Sequence, residues 1–167
     1  MTILNLVSGV VATLVLGASL AAQVPRTEGK TLSQNPLVIA DLIKGKPALL
    51  IVTFSKNAGE NAKEWTKALQ AKGINNRCVF YQVAELEDVP RFFRRLVIAA
   101  MRKGVPAEKY ETFVILITET QVWKKFVGFN NEQDPYLVLI DASGAVQYKL
   151  SGEMTDERLK EIAEKLR

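Results

Sequence analysis

Lys46-Pro-Ala-Leu-Leu-Ile-Val-Thr-Phe-Ser-Lys-Asn-Ala-Gly-Glu-Asn-Ala-Lys-Glu-Trp65 reads as strand, turn and helix in a single stretch. Residues 48–54 form an apolar run of strand length, the pattern of a strand covered on both faces of a parallel sheet. Residues 55–62 then turn the chain. Asn57 is placed to cap the following helix, and Glu60 to return the bond. Ala58, Ala62, Trp65 and Leu69 recur on one helical stripe, and Gly73 is a natural stop.

Working outward, the pattern continues in alternation. Residues 37–43 can form a short helix, closed by Gly45 and Pro47. Residues 77–83 read as a second strand. Glu85, Glu87 and Asp88 stand as acids at the start of a helix over residues 89–103, with Phe92 and Leu96 among the residues that trace its period. Residues 112–118 are a further strand, 121–126 one or two helical turns, and 136–141 with 145–150 a hairpin about the Ala142-Ser-Gly144 turn. Trp123 and Phe126, at helical spacing, read as core residues. Thr155 can cap a last helix that turns Leu159, Ile162, Ala163 and Leu166 inward. This order demands an α/β sandwich with parallel early strands and an antiparallel last pair.

The chain of 167 residues is long enough for one domain with a sufficient core. Hydrophobic content of 48% and charged content of 24% are ordinary for a globular protein. A net charge of +4 makes no case for nucleic acid. With no histidine, Ser-His and Cys-His nucleophile pairs are excluded, together with the commonest transition-metal ligand. Cys78 stands alone, so neither an intrachain disulfide nor a cysteine-rich zinc site can form.

The first charged residue is Arg26, and residues 3–22 are apolar or small except for Asn5, Ser8, Thr13 and Ser19. Ser19-Leu20-Ala21 fits a small-residue cleavage site, which makes residues 1–21 a signal peptide. The same span is also long enough to remain as a membrane anchor. Either reading puts the body outside the cytoplasm, periplasmic or secreted in one case and tethered in the other. Residues 22–36 are polar and punctuated by Pro25, Gly29 and Pro36, the composition of a linker or arm, leaving residues 37–167 as the domain.

Asp134-Pro-Tyr-Leu-Val-Leu-Ile-Asp-Ala-Ser-Gly-Ala-Val-Gln-Tyr-Lys-Leu-Ser-Gly152 resembles the cis-proline, strand, turn, strand and terminal glycine of the thioredoxin-like superfamily, in the longer form of exported thiol oxidoreductases and peroxiredoxins. Residues 46–65 resemble that family's first motif block, with Phe54 as its strand-end aromatic. The resemblance implies a three-layer sandwich about a central mixed sheet, preceded here by the hydrophobic N-terminal segment. It implies that Pro135 is a cis-proline lying beside the helix start. Aligned on Phe54, the two redox cysteines that the resemblance implies would fall near Gly59 and Ala62, and neither position carries sulfur. Cys78 lies in an apolar strand pattern, where a packed, inert thiol is the usual state. The chain therefore looks more like the members without active cysteines, which include exported bacterial proteins and a mitochondrial ATP-synthase assembly factor.

Two surfaces carry candidate contacts. Asn57, Gly59, Glu60 and Asn61 lie on the turn after the strand's carboxyl end, where open α/β sheets tend to bind ligands, and the resemblance adds Pro135. The plainer reading is that Asn57 and Glu60 only cap the helix. Arg91, Arg94, Arg95, Arg102 and Lys103 place five positive charges within thirteen residues, with Phe92 and Phe93 between them. Such a helix suits acidic lipid headgroups or an acidic partner. The plainer reading there is a solvated face whose arginine stems cover apolar surface. The expectation is a non-enzymatic domain that binds another envelope protein or a peptide as an accessory or assembly factor. No catalytic residue, cofactor, metal or nucleic acid is expected. The alternatives are an enzyme of unrelated chemistry on residues 55–62, using Lys56, and a peripheral membrane module using residues 89–103.

Overall fold

A computed structural model describes residues 22–166. The signal-peptide or anchor expectation for residues 1–21 lies outside the described residues. Among those described, no helix is long and apolar enough to cross a membrane.

The strand read from residues 48–54 is β3 (Ala48–Thr53), and all six of its residues are buried. Two shorter strands precede it, β1 (Glu28–Thr31) and β2 (Pro36–Val38), with the single-turn helix α1 (Ile39–Leu42). After it come α2 (Lys56–Ala71), β4 (Val79–Glu85), α3 (Arg94–Gly104), β5 (Phe113–Leu116), α4 (Thr120–Val127), the hairpin β6 (Tyr136–Ile140) and β7 (Val146–Ser151), and α5 (Asp156–Lys165). One seven-stranded sheet runs in the order β2-β1-β5-β4-β3-β6-β7. β3, β4 and β5 are parallel, while β6 and β7 pair antiparallel at one edge and β1 and β2 at the other.

Because side chains alternate along a strand, β3 feeds two cores. Leu50 and Val52 join Val83, Val114, Leu116, Trp123 and Tyr136 on one face. Leu49 and Ile51 join Ala62, Trp65, Leu69, Leu137, Leu139, Leu159 and Ile162 on the other. A third cluster, Leu32, Leu86 and Ile115, takes the inner residues of α3. Each buried tryptophan satisfies its one donor. The Trp65 indole N–H donates to the Gly152 carbonyl at 2.9 Å, and the Trp123 indole N–H to the Thr27 hydroxyl at 2.9 Å. Thr155 caps α5, accepting from the Arg158 N–H.

Residues 22–36 do not stand off the body as a linker. Val24, Thr27, Thr31 and Leu32 are buried, and β1 pairs with β5. The polar composition concealed this because both threonines are buried as partners: Thr27 accepts from Trp123, and Thr31 accepts from the Asn35 N–H at 3.3 Å. Gly29 permits the approach. A β-carbon there would lie 2.7 Å from Leu116 Cδ2 and 2.9 Å from the Ile115 carbonyl oxygen. Gly29→Ala is expected to lower the unfolding free energy by about 1–3 kcal/mol through overpacking against backbone, read from the urea midpoint. An unchanged midpoint would mean that residues 28–31 do not sit in this register.

Candidate functional site

The parallel strands end where the turn after β3 meets the loop before β6. Ser55, not Asn57, is the N-cap of α2: its hydroxyl accepts from the Ala58 N–H at 3.1 Å. The same hydroxyl donates to the Glu132 carbonyl at 2.6 Å, so it is engaged on both sides and is no free nucleophile for Lys56 to activate. Asn57 is left inside the helix, where its amide donates to Gln133 Oε1 at 2.7 Å. One turn on, the Asn61 amide donates to the Gln133 carbonyl at 3.1 Å. Glu60 does not return a capping bond either. It pairs with Lys63 at 2.9 Å, and that hydrogen bond holds its exposed carboxyl below the usual range. Gly59 and Ala62 lie within the first two turns of α2, Gly59 half-buried and Ala62 buried.

The structure thus brings Asn57, Asn61 and the loop before Pro135 together. The expected cis bond is absent: no peptide bond among the described residues is cis, so Asp134–Pro135 is trans. X–Pro bonds favour trans by about 0.5–1 kcal/mol, and here other bonds shape the loop. The buried Tyr136 hydroxyl accepts from the Asn130 and Asn131 N–H groups at 2.9 Å each. Phe54 packs edge-on against Phe129 and Tyr136, with ring centroids 5.2 and 5.9 Å away. Lys124 lies 5.0 Å from the Phe129 centroid and bonds Asp88 at 3.2 Å. Pro135 itself is buried, and its carbonyl accepts from the Gly152 N–H.

The acids before α3 do not start that helix. Glu85 ends β4 and is 4% exposed. Its Oε1 accepts from the Glu87 N–H at 2.8 Å. Burial pushes its carboxyl above the usual range, and the neighbouring Glu87 and Asp88 add to the shift. Glu87 caps α4 instead, where Glu119 offers no side-chain cap: its Oε2 accepts from the Thr120 N–H at 2.7 Å, which draws its own carboxyl down. Sequence reasoning missed this because the capped helix lies 33 residues away. Among the described residues, no group of three or more acidic, cysteine or histidine side chains is placed to hold a metal.

The five basic residues divide into two kinds. Arg94 donates to the Val89 and Glu87 carbonyls, and Arg102 donates twice to the Leu32 carbonyl. These two are half-buried struts, whereas Arg91, Arg95 and Lys103 are exposed. Phe92 and Leu96, which trace the helical period, face solvent, and the inner residues are Val97, Ile98 and Met101. Cys78 is buried immediately before β4, and burial raises its thiol to about 11. It is a poor source of thiolate at neutral pH.

With this geometry established, the comparisons place the chain. The profile of the family described as ATP10 protein matches residues 16–167, and the chain belongs to that family. No curated protein matches it. Solved structures give the fold as thioredoxin-like. The thioredoxin domain of a thiol-disulfide oxidoreductase from Bacteroides vulgatus is 19% identical with a TM-score of 0.57, over 87% of this chain and 94% of that one. A SCO1/SenC family lipoprotein from Bacillus anthracis is 17% identical with a TM-score of 0.56, over 89% and 97%. BsSco, a member of the Sco family of cytochrome c oxidase assembly proteins, is 12% identical with a TM-score of 0.56, over 88% and 95%.

The buried Glu85 gives a pH test. A carboxyl raised by folding stabilises the fold fully below its unfolded pKa, and that contribution is lost as pH rises through the folded value. Glu85→Gln keeps the acceptor and removes the charge. Its urea midpoint is expected to exceed that of the native chain at pH 7 and to converge with it at acid pH. A lower midpoint at pH 7 would show that the ionised carboxylate is favoured where it stands.

Proposed function

We propose that this chain is an exported, non-enzymatic assembly or accessory factor that holds a protein or peptide at the rim where the start of α2 meets the 130–135 loop. The observation that carries the reading is the exchange of sulfur for amides. By the resemblance aligned on Phe54, a redox enzyme's cysteines would fall near Gly59 and Ala62, and no residue from Ser55 to Ala62 carries sulfur. Asn57, Asn61 and Gln133 instead form a hydrogen-bonded rim with exposed polar neighbours Glu60 and Glu132. Dithiol exchange needs a reactive thiolate and a resolving partner. This rim offers neither; it offers amide donors and acceptors at the carboxyl ends of the strands, where open α/β sheets bind ligands.

Membership of the ATP10 protein family supports an assembly role, as does the fold shared with a Sco-family assembly protein. The uncharged first 25 residues support export, and so does the fold shared with a lipoprotein. Under this reading the partner is another protein of the same membrane system, and the domain faces the compartment outside the cytoplasm.

The test is capture from detergent-solubilised membranes by the full chain and by an Asn57→Ala, Asn61→Ala, Gln133→Ala variant, after circular dichroism shows that the variant keeps its fold. The native chain is expected to retain a defined partner that the variant holds at least ten-fold less well, about 1.4 kcal/mol. Equal capture by both, or capture by neither, would remove the rim from consideration.

A further inference from the structure

Of the described helices with eight or more residues, α2, α4 and α5 each bury residues and α3 buries none. Its inner residues Val97, Ile98 and Met101 are half-buried over Leu32, Leu86 and Ile115. Its outer face is apolar. Phe92 is 75% exposed, Phe93 48% and Leu96 67%, and the stripe continues through exposed Ala99 and Ala100. The rings of Phe92 and Phe93 lie 4.4 Å apart, forming one projecting aromatic lobe before the helix. Exposed Arg91, Arg95 and Lys103 border this stripe, and residues 89–107 contain no acid. None of the three forms an ion pair among the described residues. Contiguous exposed apolar surface of this kind marks an interaction site.

We infer that the outer face of α3 docks an amphipathic helix of a partner protein whose apolar side chains are flanked by Asp and Glu. Charge complementarity sets the sign of the partner, since the exposed cations are bare of carboxylates. It also disfavours a second copy, which would set the cations of one face against those of the other. The shape of the face favours a helix: the aromatic lobe and Leu96 supply bulk at one end, and Ala99 and Ala100 leave room for a backbone to approach along the rest.

Position disfavours a bilayer. The chain enters the described body at Ala22, whose carbonyl accepts from Val146 at the end of the sheet where β3 and β4 begin. The aromatic lobe follows β4 and lies at the end where those strands finish. The faces differ too. Val24 packs into the core that holds Val114 and Leu116, whereas α3 covers Ile115, which points the other way. Ala22 and the lobe therefore lie at opposite ends of the sheet and on opposite faces, so a bilayer met through the start of the described body would not meet the lobe. The α3 face shares no residue with the 55–61 and 130–135 rim, so each can be varied without changing the other.

The test uses the full isotopically labelled chain and three probes: a synthetic amphipathic helix of Leu and Glu about five turns long, the same helix with Lys for Glu, and phosphatidylglycerol vesicles. The Leu/Glu helix is expected to shift the amide resonances of residues 91–104 and to weaken with salt. Its affinity should fall at least ten-fold in Phe92→Ser with Leu96→Ser, and also in Arg91→Glu with Arg95→Glu. It should be unchanged in the Asn57, Asn61, Gln133 variant, and the Lys helix should bind at least ten-fold more weakly. Circular dichroism checks that the exposed-residue variants fold. The inference is overturned if the Leu/Glu helix shifts none of these resonances, if its binding survives both α3 variants, or if vesicles bind through Phe92 and Leu96 more strongly than the helix does.

Discussion

The burial of β3 on both faces is the constraint on which the other elements depend. All six of its residues are buried, so a helical layer must cover each side of the sheet. Its edges are equally committed, to β4 in parallel and to β6 in the opposite sense. That second pairing has a functional consequence. Because β6 runs against β3, the loop entering β6 arrives at the end where β3 leaves. Ser55, Asn57 and Asn61 can then reach residues 132 and 133 across more than seventy residues of sequence.

The bonds made there differ in kind from those of a redox site. A thiolate at a helix start is kept reactive by exposure and by the field of the helix. Here the first turn of α2 is closed by a serine hydroxyl, and its exposed side bonds a glutamine through neutral amides. The rim presents amide groups and no sulfur, which is the ground for the proposed binding role. The one thiol, Cys78, is buried in the layer between α2 and the sheet, in the cluster that holds Trp65, Leu69 and Ile74. The assembly reading rests on this substitution of roles within a retained frame.

How much of this was legible in the sequence depended on whether the signal was local. The apolar run at 48–54, the hairpin at 136–150 and the Thr155 cap could be read directly, because each depends on neighbours a few residues away. The Trp123 side chain was legible as core for the same reason. What escaped depended on distant partners. Residues 22–36 look like a linker until Trp123 is seen to need Thr27 and β5 to need an edge partner. Asn57 looks like a cap until Ser55 takes the position and Gln133 offers its side chain. The acids at 85–88 look like the start of the next helix, yet Glu87 serves α4. On α3 the period was visible but its phase was not, since either Phe92 and Leu96 or Val97 and Met101 could face inward. The covering of Leu32 and Ile115 chose the second pair.

Under the proposed function this thioredoxin-like frame binds without exchanging disulfides. The most direct measurement is the rate at which dithiothreitol reduces insulin disulfides with and without the full chain, beside a Cys78→Ser variant. Neither protein is expected to accelerate the reaction. Acceleration by the native chain that disappears in Cys78→Ser would contradict that function, because it would require the buried thiol to reach a substrate.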